Sequence, residues 1–397
     1  MSVIVTGVGA VTPLGVGAAS LQQGAVAGKS GIAEGMGRCL DFNPREFLTA
    51  KEVRRTDRFV QMALVAGDEA VAQAGWADDP PVNPDRIGCV VGSGGGGMET
   101  VRDQMEIYRE RGPEAVSPLA WPMFMPNAAA AHLAARYGLR GECYSVSAAC
   151  ATGGQAIGQG VRLIEGGFAD AAVVGGTDAL LVTEVLAGAR SAGAVSAAGR
   201  CLPFDRRRDG YVPAEAAGVL ILEREEVAER RGVKGAGRVL SFAATDDAFH
   251  ITAPDPEANA AARAISLALE RAKLWPSQLD YVNAHGTGTI LNDRSETLAL
   301  KRALGAAAYE VPVSSTKSMI GHTQGAAGAV EAIVTLHALA ERVAPPTMGL
   351  DEPEDGLDLD YVPNQSRTIA AQRDDVAVGI SNSFGFGGHN TVLVLEA

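Results

Sequence analysis

Short β-branched runs alternate with longer alanine-rich stretches along this chain, and the rhythm restarts near residue 236. That alternation predicts mixed α/β layers, because each element can bury its apolar face only against the next. In the first half, strands are expected at Val3–Thr6, Ile87–Val91, Cys143–Val146, Ala171–Val174 and Leu220–Leu222. Helical spacing of apolar residues places helices at Arg58–Gln73, Ala128–Tyr137 and Thr152–Glu165. The strand at Ala171 is expected to stop at Gly175 and Gly176, and Gly67 to allow close helix packing. In the second half the pattern gives helices at Asn259–Ala272 and Ala326–Leu339, and strands ending or lying at Tyr281–Asn283, Val376–Ser381 and Thr391–Glu396. The reading is two similar halves, 1–235 and 236–397. No linker or low-complexity tract parts them, so they are expected to form one body around a shared site.

Composition narrows the function. The net charge of −13 disfavours nucleic acid as a main partner, since phosphate contact needs clustered Lys and Arg. Glycine supplies 48 of 397 residues, which points to many tight turns. Five cysteines, none in a C-x-x-C pair, argue against a zinc site or a disulfide framework. The N-terminal run MSVIVTGVGAVTPLG lacks a preceding basic residue and does not read as a signal peptide. The charge-free stretches Met1–Gly28 and Val116–Ala135 are broken by Pro, Gln, Asn, His and Gly, so no membrane span is expected. A cytoplasmic protein with reduced thiols follows as the expectation.

Four clusters carry possible chemistry. SVSAAC ends at Cys150, and a helical stretch follows at once. A thiol delivered by a strand to a helix start would have its pKa lowered by orphan amides and the macrodipole. A buried, inert cysteine is the alternative, and it is the reading for Cys39, Cys89, Cys143 and Cys201. NAHGTGT places His285 in a glycine-punctuated turn at a strand end, either as a ligand-facing group or as a satisfied turn histidine. SSTKSMIGHTQGAAGAVE brings Lys317, His322 and Glu331 among small apolar residues. Buried charges there need partners; otherwise Lys317 and Glu331 are surface groups. SNSFGFGGHN alternates Phe384 and Phe386 with glycines. Its backbone amides could face an oxyanion, or it could be an ordinary hairpin. GSGGGG at Gly92–Gly97 makes a poor dinucleotide fingerprint, because no downstream acid is evident.

Taken together, VTGVGAVTPLG, SVSAACATG, RCLPFDRRRDGYV, DDAFHITAP, NAHGTGT, KSMIGHTQGAAGAVE and NSFGFGGHN span nearly the whole chain. In these motifs it resembles the elongating β-ketoacyl-[acyl-carrier-protein] synthases of fatty-acid and type II polyketide synthesis. One departure is AEAAG at Ala214–Gly218, where GEGAG is common, and it bears on local backbone packing. The resemblance implies the α/β thiolase-like fold, with two halves in a five-layered α-β-α-β-α body, and a decarboxylative condensation with malonyl-carrier protein.

It further implies that Cys150 carries the acyl group and that the amides of Cys150 and Phe386 form the oxyanion hole. His285 and His322 would assist decarboxylation, Lys317 would fix His322, and Glu331 would complete that network. Phe386 would gate the site, with Phe384 supporting it. Thr287 and Thr289 would bind the phosphopantetheine arm, with Thr252 and Gly95 as further substrate positions. Gly95, in the place of a bulkier residue, would open the acyl pocket to medium-to-long or rigid unsaturated chains.

No catalytic metal and no resident cofactor are expected, since phosphopantetheine arrives on the carrier protein. Asn283, Glu331, Ser381 and Asn382 match positions lining a monovalent-cation site in some relatives. The implied partners are acyl carrier protein and a second subunit, in a homodimer or a heterodimer with a chain-length factor. Trp121–Asn127 and Ala128–Tyr137 are expected at that contact. Lys51, Arg54, Arg55, Arg58 and Arg206–Arg208 could give a basic face for the acidic carrier, or be ordinary solvated surface.

Other readings fit less well. A thiolase needs a second cysteine in the C-terminal half, and the last one here is Cys201. A starter synthase pairs Cys with His and Asn, whereas GHT supplies His322. A non-catalytic chain-length factor typically lacks the nucleophile. A cysteine protease would leave Lys317, Glu331 and the GFGG loop unexplained.

Overall fold

The computed structural model describes residues 3–76, 80–370 and 376–397. Ten strands run through one continuous path. The N-terminal half contributes β1 (Val3–Thr12), β2 (Ile87–Gly92), β3 (Cys143–Tyr144), β4 (Ala171–Asp178) and β5 (Ala216–Arg224). The C-terminal half contributes β6 (Gly237–Asp246), β7 (Tyr281–Asn283), β8 (Val313–Ser314), β9 (Val378–Gly385) and β10 (His389–Glu396). The order is β3-β2-β4-β5-β1-β6-β10-β9-β7-β8, with Gly15–Val16 hairpinned onto β1.

The two halves repeat one plan. In the first, β2 pairs parallel with β3 and β4, and β5 runs antiparallel to β4 and β1. In the second, β7 pairs parallel with β8 and β9, and β10 runs antiparallel to β9 and β6. Three residue pairs between β1 and β6 join the two sheets. The helices repeat too: α1 (Arg58–Gln73), α2 (Ala128–Tyr137) and α3 (Thr152–Glu165) correspond in order to α4 (Asn259–Ala272), α5 (Ile290–Leu304) and α6 (Ala327–Glu341).

Period-2 alternation sorts the strand side chains into layers. Val90, Val174, Leu220, Leu222, Leu393 and Leu395 pack with Ile157 and Val161 of α3 and Val330 and Ile333 of α6. Their neighbours Val91, Val173 and Ile221 face α1 and α2 through Val60, Leu64 and Leu133. Val392 and Val394 face α4 and α5 through Ile265, Leu269 and Leu300. The result is helix, sheet, helix, sheet, helix. Glycines let the central helices touch: a Cβ on Gly153 would lie 2.6 Å from the Ala329 nitrogen, and one on Gly328 2.5 Å from the Gly154 nitrogen. Gly67 likewise admits the Leu133 side chain of α2.

Helix bounds read from the sequence hold at Arg58–Gln73, Ala128–Tyr137, Thr152–Glu165 and Asn259–Ala272. The strand ends differ. β4 does not stop at Gly175 and Gly176 but runs to Asp178, because both glycines pair with Val219 and Gly218 of β5. A Cβ on Gly175 would come within 2.2 Å of the Gly218 oxygen, so these glycines serve close packing, not termination. β9 extends to Gly385 and turns straight into β10 as a hairpin. Among the described residues, no helix is long and apolar enough to cross a membrane.

Candidate active site

The nucleophile candidate sits where β3 leads, through Ser145–Ala149, into α3. Ala149 holds φ at 47°, a left-handed conformation rare for a residue with a side chain. Thr152 secures this bend: its hydroxyl accepts from the Ala148 N–H at 2.8 Å and donates to the Ala149 carbonyl at 2.7 Å. The β9–β10 hairpin presses against the same bend. A Cβ on Gly385 would lie 2.9 Å from the Ala148 oxygen and 3.0 Å from the Cys150 nitrogen. Glycine there brings the Phe386 amide toward the sulfur, which also faces its own N–H.

The helix start does not make Cys150 a low-pKa thiol. Burial dominates and pushes it up to about 11, against the pull of Lys317 and the Phe386 amide. The expectation of a lowered thiol pKa is therefore corrected: the resting group is a protonated thiol.

The C-terminal half supplies both imidazoles. His285 follows β7 and is 1% exposed. Its N–H and that of Gly286 donate to the Glu296 carboxylate at 2.8 and 2.7 Å, and Asn382 Nδ2 donates to the same group at 3.1 Å. Lys317 Nζ lies 3.3 Å from His285 Nδ1 and forms a buried ion pair with Glu331. Burial pushes Glu331 up to about 7, while Lys317 draws it down. The expectation that Lys317 orients His322 is corrected here, although its charge still lowers the His322 pKa. The four-residue helix Lys317–Ile320 points the ammonium at His285.

His322 is held by backbone on both sides: its N–H donates to the Val212 carbonyl at 2.7 Å and its carbonyl accepts from the Ala214 N–H at 2.9 Å. The departure at Ala214 therefore packs normally and helps to fix a histidine. Nδ1 of His322 accepts from the Gln324 N–H at 3.2 Å, and Nε2 lies 3.0 Å from Cys150 Sγ.

These contacts set the tautomers. An amide N–H and an ammonium can only donate, so Nδ1 accepts in each ring and Nε2 carries the proton. Burial and Lys317 hold both imidazoles well below their ordinary pKa. The site thus presents two neutral N–H donors beside one thiol. The rings meet edge to face, 5.4 Å between centroids, and the Cys150 sulfur and one nitrogen of each ring lie within 4.8 Å of one another.

A cavity of about 440 Å³ opens onto this triad. Thr252, Thr287, Thr289, Phe384 and Phe386 line it as the sequence suggested. The Thr287 and Thr289 hydroxyls are 2.9 Å apart, and Thr252 packs on His250 through an N–H to Nδ1 bond of 3.1 Å. Phe386 is 45% exposed at the mouth, and the Phe384 ring centroid is 6.1 Å from that of His285.

Two further expectations fail. Gly95 does not line this cavity, and a Cβ there would lie 2.6 Å from Leu180 Cδ2, so Leu180 already fills the space beside Gly95. The arginine run is no free basic face. Arg206 pairs with Glu352 and Asp355, Arg207 with Asp205 and Asp351, and buried Arg208 with Asp293 and Glu354. Arg58 is bound to Glu215, while Lys51, Arg54 and Arg55 remain exposed.

Sequence reasoning missed three carboxylates that build the site. Asp178, fully buried at the end of β4, accepts from Ser93 Oγ at 2.6 Å and from the N–H groups of Gly94, Gly95 and Gly325. It ties the GSGGGG turn of one half to the GHTQG turn of the other. Glu296 and Asp293 lie three apart on α5 and hold the amides of His285, Gly286 and Gly288. Their signal was an acidic pair at helical spacing just after a glycine turn.

The buried oxygens of Asn283 (Oδ1), Glu331 (Oε2), Ser381 (Oγ) and Asn382 (Oδ1) have no hydrogen-bond partner among the described residues. Asn283 and Ser381 are register partners on β7 and β9.

Comparison with known families matches residues 36–228 to the β-ketoacyl synthase N-terminal domain and 236–351 to the C-terminal domain. The chain belongs to the β-ketoacyl synthase family. It is 42% identical to 3-oxoacyl-[acyl-carrier-protein] synthase 2 of Synechocystis, over 99% of this chain and 97% of that relative. Among solved structures, the ishigamide ketosynthase/chain length factor aligns with a TM-score of 0.91 at 30% identity, covering 99% and 98% of the two chains. A type II polyketide ketosynthase, solved with its acyl-carrier protein and bound to the hexaketide, aligns at 0.89 and 29% identity, covering 100% and 99%. As a member of this family the chain is a ketosynthase with the thiolase-like fold.

Proposed function

We propose that this ketosynthase condenses a Cys150-bound acyl group with malonyl-acyl-carrier protein, releasing CO₂ and giving the 3-ketoacyl thioester. The observation carrying this reading is the convergence of one thiol, two Nε2–H donors and two hole-forming amides on a single cavity.

In the first step, the Cys150 sulfur attacks the acyl thioester carbonyl and the amides of Cys150 and Phe386 hold the oxyanion. The departing pantetheine sulfur takes up the proton that Cys150 loses. One thiol replaces another, so a base with pKa near 7 is not required. In the second step, the malonyl C–CO₂ bond breaks, and charge moves onto the thioester oxygen between His285 and His322. Neutral N–H donors suit an enolate, because they stabilise it without protonating its carbon. The enolate carbon then attacks the acyl-Cys150 carbonyl, and collapse expels the Cys150 thiolate. Lys317 keeps His285 in the donating tautomer, and Glu331 balances its charge.

The orphaned oxygens of Asn283, Glu331 and Ser381, on one face of β7 and β9, would suit a monovalent cation, whereas the Asn382 side chain points to the opposite face, toward Glu296. Such an ion would steady Glu331 and, through Lys317, His285. Thr287 and Thr289 would bind the phosphopantetheine arm, Thr252 the mouth of its path, and Phe386 would gate entry. The carrier protein is acidic, and exposed Lys51, Arg54 and Arg55 offer it a docking face.

The protein works in the cytoplasm as a dimer, with exposed Trp121 and the α2 region at the contact. A heterodimer with a chain-length factor is the second reading. It is favoured by two structural neighbours whose names pair a ketosynthase with such a factor. Intact-mass analysis with acyl- and malonyl-carrier proteins tests the reaction: Cys150 gains the acyl mass, then loses it to product when malonyl-carrier protein is added. Acyl transfer with no elongation in the purified protein plus a chain-length factor would overturn the condensing role.

A further inference from the structure

With the Lys317 ammonium aimed at His285, the His322 ring needs a different hold. Val212 and Ala214 fix its backbone, but backbone bonds leave an imidazole free to turn about its side-chain torsions. The hold on the ring itself is the Gln324 N–H on Nδ1, at 3.2 Å. That amide is in place because Gln324 has φ at 54°, a left-handed conformation rare for a residue with a side chain. Such a conformation persists only where its surroundings over-determine it. On the C-terminal side, the Gly325 N–H is tied to Asp178 at 2.6 Å. At the side chain stands Tyr211, from the N-terminal half.

Tyr211 is 8% exposed and lines the cavity together with Gln324, His322 and Cys150. Its ring meets the His322 ring edge to face, 5.2 Å between centroids and 77° between planes. Its N–H donates to the Ala194 carbonyl at 2.9 Å, and its carbonyl accepts from the Ser196 N–H at 2.9 Å. The next residue carries the Val212 carbonyl that accepts the His322 N–H, so ring and backbone of His322 face one short segment. Burial raises the Tyr211 phenol above its ordinary pKa, while a hydrogen bond with the Gln324 side chain draws it down.

We propose that Tyr211 and Gln324 form a positioning pair for His322, with one member from each half. The Tyr211 ring blocks rotation of the imidazole. Its hydroxyl holds the Gln324 side chain, and so keeps the Gln324 amide on Nδ1. Nε2 then retains its proton and stays a donor beside Cys150 Sγ, 3.0 Å away. Without this latch, Nδ1 is free to carry the proton, and Nε2 becomes an acceptor for the Cys150 thiol. The role rests on the reading of His322 as an N–H donor to the enolate.

The test uses Tyr211→Phe, which keeps the ring and removes the hydroxyl, and Gln324→Leu, which keeps the backbone N–H and removes the side-chain amide. Two quantities are read on the whole protein: CO₂ release from malonyl-carrier protein, and the pH profile of Cys150 alkylation by iodoacetamide. Each variant should lower kcat for CO₂ release about 10- to 100-fold, less than the loss of about 10²–10⁴-fold that removing a proton-donating group can bring, with KM near wild type. The alkylation midpoint should fall, because the freed ring accepts the thiol proton. Lys317 and Asp178, whose charges also act on Cys150, are unchanged in both variants. The double variant should be no worse than either single one, as one shared latch requires. Wild-type kcat with an unshifted midpoint in both variants would overturn the proposal. So would effects that multiply in the double variant, or a raised KM at unchanged kcat, which would make the pair a substrate contact. Absence of CO₂ release in wild type would count against the condensing reaction instead, and the alkylation profile would still decide the latch.

Discussion

The two halves share a strand plan and a helix plan, yet the corresponding positions do different work. In the N-terminal half, β3 leads to a strained bend and a thiol. In the C-terminal half, the matching β8 leads to Lys317 and then to His322, and β7, the counterpart of β2, leads to His285. After β2 itself stands only a glycine turn, clamped by Asp178. On the proposed reaction, one half would hold the covalent intermediate, while the other half would supply N–H donors for the enolate. A duplicated scaffold lets the two tasks be tuned apart. The thiol is buried and protonated, and the imidazoles are buried and neutral. No ion pair touches the reacting atoms directly. The buried pair nearest to them, Lys317–Glu331, stands a step behind His285.

The sharpest way to break this division is at the thiol. Cys150→Ala should lose acyl-enzyme formation completely while keeping its fold, read by intact mass after incubation with acyl-carrier protein. Label still attached to the variant would move the covalent role elsewhere. Next come the donors. His285→Ala and His322→Ala should each slow condensation by about 10²–10⁴-fold. Lys317→Met should resemble His285→Ala, because its ammonium faces His285 and not His322. A Lys317 variant with normal CO₂ release would remove lysine from the C-terminal set.

The pH response separates the halves again. With the Cys150 thiol pushed up to about 11, its thiolate fraction grows about tenfold per pH unit below that value. Alkylation of Cys150 by iodoacetamide should climb steadily from pH 7 to pH 10. Malonyl decarboxylation should show no break near pH 6.5, since both imidazoles stay neutral well below it. An alkylation midpoint at or below pH 7 would contradict the protonated resting thiol.

A smaller effect is expected at the seam. Asp178→Asn leaves amides of Gly94, Gly95 and Gly325 with one acceptor oxygen instead of two, at a cost of about 1–3 kcal/mol. A lower denaturation midpoint with slower Cys150 loading would show the clamp at work. The smallest change is Gly95→Ile. The new side chain must displace Leu180, an overpacking cost of about 1–3 kcal/mol, and the acyl-length profile should stay as in wild type. A shifted profile would restore Gly95 as a pocket residue.

The sequence exposed the layers and the reacting groups because those follow from periodicity and from small residues around polar ones. Helix bounds at Arg58–Gln73 and Thr152–Glu165 were legible from apolar spacing alone. Hidden in the sequence were relations set by three-dimensional convergence. Lys317 is five residues from His322 and thirty-two from His285, yet a single helical turn aims it at the farther one. Asp178 looks like the end of a strand, although four donors from two separate turns meet on it. The Cys150 helix start was visible, but the burial that outweighs it was not. Space beside Gly95 depends on Leu180, a side chain eighty-five residues away.

The central claim is that loading belongs to one half and decarboxylation to the other. Labelled CO₂ release from malonyl-carrier protein, measured side by side in Cys150→Ala and His285→Ala, tests it most directly. The account predicts that Cys150→Ala, unable to load, still releases CO₂, and that His285→Ala still loads but releases almost none. Loss of CO₂ release in Cys150→Ala together with full release in His285→Ala would contradict it.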